Sequence, residues 1–101
     1  MTLADLGPEL DPLIHAPVRL RIMSALLPVD QLGFTELRDV VATTDGNLAT
    51  HTRKLEQAGY VEATKQFVGR KPLTTFRLTD AGRVAFQDYL DALEALLPPR
   101  R

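Results

Sequence analysis

No cysteine occurs in this sequence of 101 residues. That absence excludes disulfides and thiolate metal sites. Histidine is scarce: His15 and His51 are the only two. Neither has an acid at a spacing that suggests a metal pair or a catalytic relay, so a structural or capping role is expected for each. There is no glycine-rich loop for cradling phosphate. No apolar run approaches the length of a membrane span. The opening MTLADLGPEL lacks the basic region and continuous apolar stretch of an export signal. These absences argue against an enzyme, a cofactor protein and a membrane protein. They fit a cytoplasmic location.

Excess charge is also missing, for the net charge is −1. Its distribution is uneven. Residues 1–47 hold three bases and seven acids. Residues 48–79 hold six bases, Arg53, Lys54, Lys65, Arg70, Lys71 and Arg77, against Glu56 and Glu62. Residues 80–101 hold three bases and four acids. A near-neutral chain thus carries one local basic footprint, which is what nucleic-acid binding requires.

That footprint begins in the stretch Phe34 to Tyr60, FTELRDVVATTDGNLATHTRKLEQAGY. It reads as helix, turn, helix, stop. Thr35 suits an N-cap and Glu36 the first turn. Leu37, Val40 and Val41 share one face. Residues Ala42 to Gly46 are cap and turn formers, so a second helix begins near Thr44 or Asp45 and runs to Ala58. Gly59 suits the left-handed position beyond a helix end. Leu48, Thr52 and Leu55 fall on one face of the second helix and should pack on the first. Gly46, Asn47, Thr50, Arg53, Lys54 and Gln57 fall on the other. Small polar groups with cations are what a helix needs in the major groove: amides and hydroxyls for base edges, positive charge for phosphate. The alternative is an ordinary solvated face.

Upstream, Leu3, Leu6, Leu10, Leu13 and Ile14 recur at near-helical spacing between Pro8, Pro12 and Pro17, which predicts short helical pieces packed on another element of this chain or of a second copy. Pro17 suits the first turn of a core helix ending before Pro28. Its Arg19 and Arg21 read as surface or acid-paired residues in preference to phosphate contacts. Gly33-Phe34 fits a very short strand. After Gly59 the apolar period changes from 3.6 to 2. Val61, Ala63 and Phe67 alternate with polar residues, as do Phe76 and Leu78. Val68 to Pro72 forms the turn between them, with Arg70 and Lys71 at its tip. Thr79 caps a last helix. Phe86, Leu90, Leu93 and Leu97 follow at heptad-like steps, widened by Tyr89 and Leu96. Packing on the N-terminal helices is one reading of this seam. Pairing with a second chain across a two-fold axis is preferred. Asp88, Asp91 and Glu94 read as a solvated face.

The fold class is therefore mainly α with a small antiparallel β-hairpin. The expected layout is one domain over 1–101, with helix–turn–helix and wing over 15–79 and a C-terminal helix over 80–97. This pattern resembles the winged-helix bacterial transcription regulators, the MarR-like and ArsR-like proteins, and in particular small stand-alone winged-helix DNA-binding domains. PVRLRIMSALL resembles their opening helix, GNLATHTRKLEQAGYVE their recognition helix, and FRLTDAGR their strand-to-helix junction. The resemblance implies a cytoplasmic homodimer on a pseudo-palindromic operator in double-stranded DNA, usually a repressor. It places base reading on Asn47, Ala49, Thr50 and Arg53, and phosphate contacts on Lys54, Arg70 and Lys71. It places dimerisation on the terminal helix, with Phe86, Tyr89, Leu90, Leu93 and Leu97, and on the N-terminal segment. Thiolate metal sensing is out without cysteine. Both ends are short beside MarR-like proteins with long arms, and no small-molecule effector is indicated. The competing reading is a winged helix that serves protein–protein or RNA interaction, since fold does not imply function.

Overall fold

A computed structural model describes residues 9–98. The elements follow in the order α1 (Pro17–Leu26), β1 (Leu32–Gly33), α2 (Phe34–Val41), α3 (Asp45–Gln57), β2 (Val61–Val68), β3 (Lys71–Leu78) and α4 (Asp80–Leu96). This is the mainly helical winged-helix architecture with a small hairpin and a terminal helix. The core joins Ile14, Ile22, Met23 and Leu26 to Leu37, Val41, Leu48 and Leu55, then to Val61, Phe76, Leu78, Phe86 and Tyr89.

Among the described residues, the stretch 9–16 before α1 forms a single turn. Asp11 makes it: its Oδ1 accepts the Leu13 N–H at 2.9 Å, and its carbonyl accepts from Ile14 and His15. The turn drives Ile14 fully into the core, with Leu10 and Leu13 partly covered. Leu3, Leu6 and Pro8 lie outside the described residues, as do Pro99, Arg100 and Arg101. Pro17 stands in the first turn of α1, where its missing N–H has no helical partner to lose.

Gly33, not Thr35, caps α2. Its extended backbone ends β1 and already has cap geometry, and its N–H donates to Glu36 Oε1 at 3.1 Å. The short strand is therefore Leu32–Gly33, one residue earlier than expected. Leu37 and Val41 are buried one turn apart, whereas Val40 is 64% exposed. Thr44 caps α3, its Oγ1 accepting the Asn47 N–H at 3.1 Å. Leu48, Thr52 and Leu55 are buried as a stripe. They pack chiefly on α1, not on α2. The reason is size: α2 has eight residues and offers two buried side chains, while α1 offers Ile22, Met23 and Leu26. Truncating Leu48 or Leu55 to alanine costs about 2–5 kcal/mol at such fully buried sites.

Gly59 ends α3 at φ +78°, and the pairings are those of a Schellman motif. The Gly59 N–H donates to the Glu56 carbonyl and the Tyr60 N–H to the Leu55 carbonyl, both at 2.9 Å. β2 and β3 then pair from Val61↔Leu78 to Val68↔Lys71. The turn is only Gly69-Arg70, tighter than the five-residue turn expected. Gly69 alone takes positive φ, +66°, the requirement of a type II′ turn. Lys71 and Pro72 are thus strand residues. β1 pairs with β3 through Leu32↔Phe76 and Gly33↔Thr75, giving the order β1-β3-β2.

Thr79 caps α4 as expected, accepting the Gly82 N–H at 2.9 Å while its hydroxyl donates to the Gly59 carbonyl. The end of α3 and the start of α4 are thereby tied. Gly82, Phe86, Tyr89 and Ala92 form the buried stripe of α4. Phe86 and Tyr89 are covered by their own chain, so the inward packing holds for that part of the seam. Leu90 and Leu93 are half-buried, and Leu96 and Leu97 are exposed. Leu97 is the C-cap, with extended backbone, and leaves the helical seam.

Candidate nucleic-acid interface

The outer face of α3 is exposed at Gly46, Asn47, Thr50, Arg53, Lys54 and Gln57. Ala49 is half-buried at the foot of this face. The alternation is a direct result of anchoring Leu48, Thr52 and Leu55 inward, because 100° per residue throws the intervening polar groups outward. The α3 N-terminus is held by Thr44 and by Arg38, whose Nη1 donates to Asp45 Oδ1 at 2.9 Å. Arg38 also holds Asp39 at 3.0 Å, so this cation is spent on acids at the helix junction.

The predicted cations are otherwise available. Among the described residues, ion pairs occupy Arg38 and Arg77, the latter on Glu62 at 3.2 Å. Arg53, Lys54, Lys65, Arg70 and Lys71 are exposed and enter none of them. Arg53 and Lys54 lie on α3; Arg70 sits at the hairpin tip and Lys71 beside it. One concave groove of about 530 Å³ separates α3 from the hairpin. Ala49, Thr52, Arg53, Glu56 and Gln57 form one wall. Ala63, Lys65, Thr74 and Phe76 form the other, with Phe34 beside them. Phe34 and Phe76 lie with ring centroids 6.2 Å apart, a tilted aromatic contact at the groove.

The fold brings Asn47, Ala49, Thr50, Arg53 and Lys54 onto one helix and sets Arg70 and Lys71 at the far end of the adjoining hairpin. Lys65, one of the six bases of 48–79, stands with them on the hairpin wall of the groove. Strand parity is the signal that finds it, since Ala63 and Lys65 share a face.

One residue has a duty other than the expected one. Arg19 is neither a surface residue nor paired with an acid. It is half-buried, its Nε donates to the Leu13 carbonyl, and its Nη1 lies 3.0 Å from His51 Nδ1. Arginine can only donate, so His51 Nδ1 accepts and the ring proton resides on Nε2. Partial burial holds His51 below its ordinary value, and the charges of Arg19 and Lys54 add to this. His15 pairs with Tyr89, Nδ1 to Oη, at 2.9 Å, which ties the N-terminal turn to α4. Each histidine thus bonds two segments of the fold together.

The family model of the winged helix DNA-binding domain matches residues 18–97. The chain belongs to the winged helix DNA-binding domain family. This is a family of DNA-binding domains and not of enzymes. An uncharacterized protein of Methanocaldococcus jannaschii is 35% identical over 78 residues, which is 77% of this chain and 85% of that protein. The structure of a transcriptional regulator homologue from Pyrococcus horikoshii OT3 is similar at a TM-score of 0.77, with 36% identity over 83% of each chain. A MarR family transcriptional regulator from Silicibacter pomeroyi shares the fold at a TM-score of 0.68. Its identity is 20%, over 83% of this chain and 56% of that one. Within the winged-helix frame, α2 and α3 are the helix–turn–helix and the β2–β3 hairpin is the wing. Among the described residues no helix is long and apolar enough to cross a membrane.

Proposed function

We propose that this winged-helix protein is a cytoplasmic, sequence-specific regulator of transcription, a repressor that binds a pseudo-palindromic operator as a homodimer. The observation that carries the reading is the exposed polar and cationic face of α3 beside a basic-tipped wing, with no acid among the described residues pairing those cations. In this reading α3 lies in the major groove. Asn47, Thr50 and Arg53 meet base edges, and half-buried Ala49 contributes apolar shape. Lys54, Arg70 and Lys71 meet phosphate. Dimerisation falls on the part of α4 that its own chain covers least, half-buried Leu90 and Leu93 with exposed Leu96 and Leu97. Two recognition helices then enter successive major grooves about one helical turn apart.

Fluorescence anisotropy tests this with duplex DNA from immediately upstream of the protein's own coding region, against a scrambled duplex of equal length at two salt concentrations. The expected result is tight, salt-sensitive binding to the first duplex only, with two protomers per duplex. Equal weak binding to both, together with specific capture of a protein or an RNA, would replace this reading by an interaction module.

A further inference from the structure

The wing carries a large apolar side chain where the core cannot use it. Phe67 is 75% exposed, more than any other large hydrophobic residue described. Its position follows from register. On β2, Ala63, Lys65 and Phe67 share one face of the hairpin. Across the ladder their partners are Phe76, Thr74 and Pro72, and directly opposed residues point to the same side. Ala63, Lys65, Thr74 and Phe76 already line the groove facing α3. Phe67 and Pro72 therefore extend that same face outward, past the edge of the groove, toward the hairpin tip.

Pro72 suits this place. It stands one pair inside Val68↔Lys71, the pair that closes the two-residue turn, and so falls at a non-hydrogen-bonded position of the ladder. Its missing N–H faces away from β2, where β1 does not reach, since β1 pairs only with Thr75 and Phe76. The ring adds a rigid apolar buttress directly across from Phe67. Cations surround the pair: Lys65 two residues before, Arg70 in the turn, Lys71 next to Pro72.

We propose that Phe67, backed by Pro72, is an apolar wedge that enters the DNA minor groove next to the major groove occupied by α3. The proposal rests on the DNA-binding reading above and adds a residue and a mode of recognition to it. A helix seated in the major groove leaves the neighbouring minor groove as the next surface that the same face of the protein meets. Phosphates flank that groove, which matches Lys65, Arg70 and Lys71. Its floor is the edge of the base stack, and a ring inserted between two base steps meets their apolar faces, partly unstacks them and kinks the duplex. The preferred sites then include a flexible pyrimidine–purine step outside the bases touched by α3, since such steps deform most easily.

The test uses the full chain and a duplex enriched from a random-sequence library by the wild-type protein, labelled with a donor and acceptor at its two ends. Anisotropy gives affinity at several salt concentrations, and energy transfer gives the bend. Phe67→Ala should weaken binding about tenfold. The slope of log K against log salt should stay unchanged, because no phosphate contact is lost. Energy transfer should fall toward that of the free duplex, and Phe67→Leu should retain most of the bend. The exposed position keeps the fold intact, which circular dichroism checks. Wild-type affinity and bend in Phe67→Ala, while Arg53→Ala loses specific binding, would overturn the wedge and leave operator binding standing. Loss of dimer in Phe67→Ala by sedimentation, with DNA bending retained, would assign the ring to a protein interface. Failure of the library to yield any enriched duplex would overturn operator binding and the wedge together.

Discussion

Arg19 on α1 and His51 on α3 are joined by a hydrogen bond of 3.0 Å between Nη1 and Nδ1. It clamps α3 to the helix beneath it, and it requires a neutral imidazole. His51 is held below its ordinary value of 6.5, first by partial burial and then by the charges of Arg19 and Lys54. The unfolded chain therefore takes up this proton more readily than the folded one. Stability from His51 is complete above pH 6.5 and is lost as pH falls from there through the lower folded value. Thermal melts of wild type and His51→Gln between pH 8 and pH 5 should diverge on the alkaline side and converge toward acid. Parallel curves would show that the clamp carries no linkage.

Gly82 leaves room for the backbone of Tyr60. A Cβ there would overlap the Tyr60 carbonyl oxygen and lie 2.9 Å from its carbon. Neither is a flexible side chain, so Gly82→Ala forces α4 off the end of α3. A loss of about 3 kcal/mol is expected, at the upper end of the cost of overpacking. Urea denaturation measures it. A loss under about 1 kcal/mol, within the range of a tolerated core change, would mean that α4 repositions freely.

Ala42 closes α2 with φ +58° and ψ +52°, a left-handed conformation that a Cβ disfavours. Ala42→Gly should stabilise the protein by about 0.5–1 kcal/mol, after offsetting the greater freedom of glycine when unfolded. A lower melting temperature in this variant would count against strain at the turn.

Arg53 and Lys71 should separate base reading from phosphate contact. Arg53→Ala is expected to cost about 1–3 kcal/mol at the operator and little on scrambled DNA. Lys71→Ala should weaken both and reduce the salt slope by about one. Anisotropy titrations over a salt series decide. If both variants behave alike, the division of labour between helix and wing is wrong.

The uncovered end of α4 offers a test of assembly. Leu96 is 43% exposed and Leu97 52%. Leu96→Arg with Leu97→Arg should convert a dimer to a monomer in analytical ultracentrifugation, with the fold kept, because both side chains are exposed. Tyr89→Ala is the contrasting variant. It should destabilise the monomer itself, since Tyr89 is 3% exposed and bonded to His15.

Much of this molecule was legible in one dimension. Local chemistry placed Thr44, Gly59 and Thr79 at helix ends, because caps and left-handed positions are satisfied within a few residues. Periodicity placed Leu48, Thr52 and Leu55 inward and Asn47, Thr50, Arg53 and Lys54 outward, because that partition depends only on helix pitch. The change of period after Gly59 marked the hairpin, and the charge count marked its basic surroundings. What needed tertiary structure was every choice between partners. A repeat of apolar residues in α4 does not say which chain covers it, and packing into the chain's own core buried Phe86 and Tyr89 while leaving Leu96 and Leu97 outside. Arg19 found a histidine thirty-two positions away, beyond the reach of any local rule. Gly33 became a cap because it was already held extended against Thr75 on β3. The groove between α3 and the wing exists only because the Schellman turn at Gly59 sets the two elements side by side, and with it comes the outward placement of Phe67.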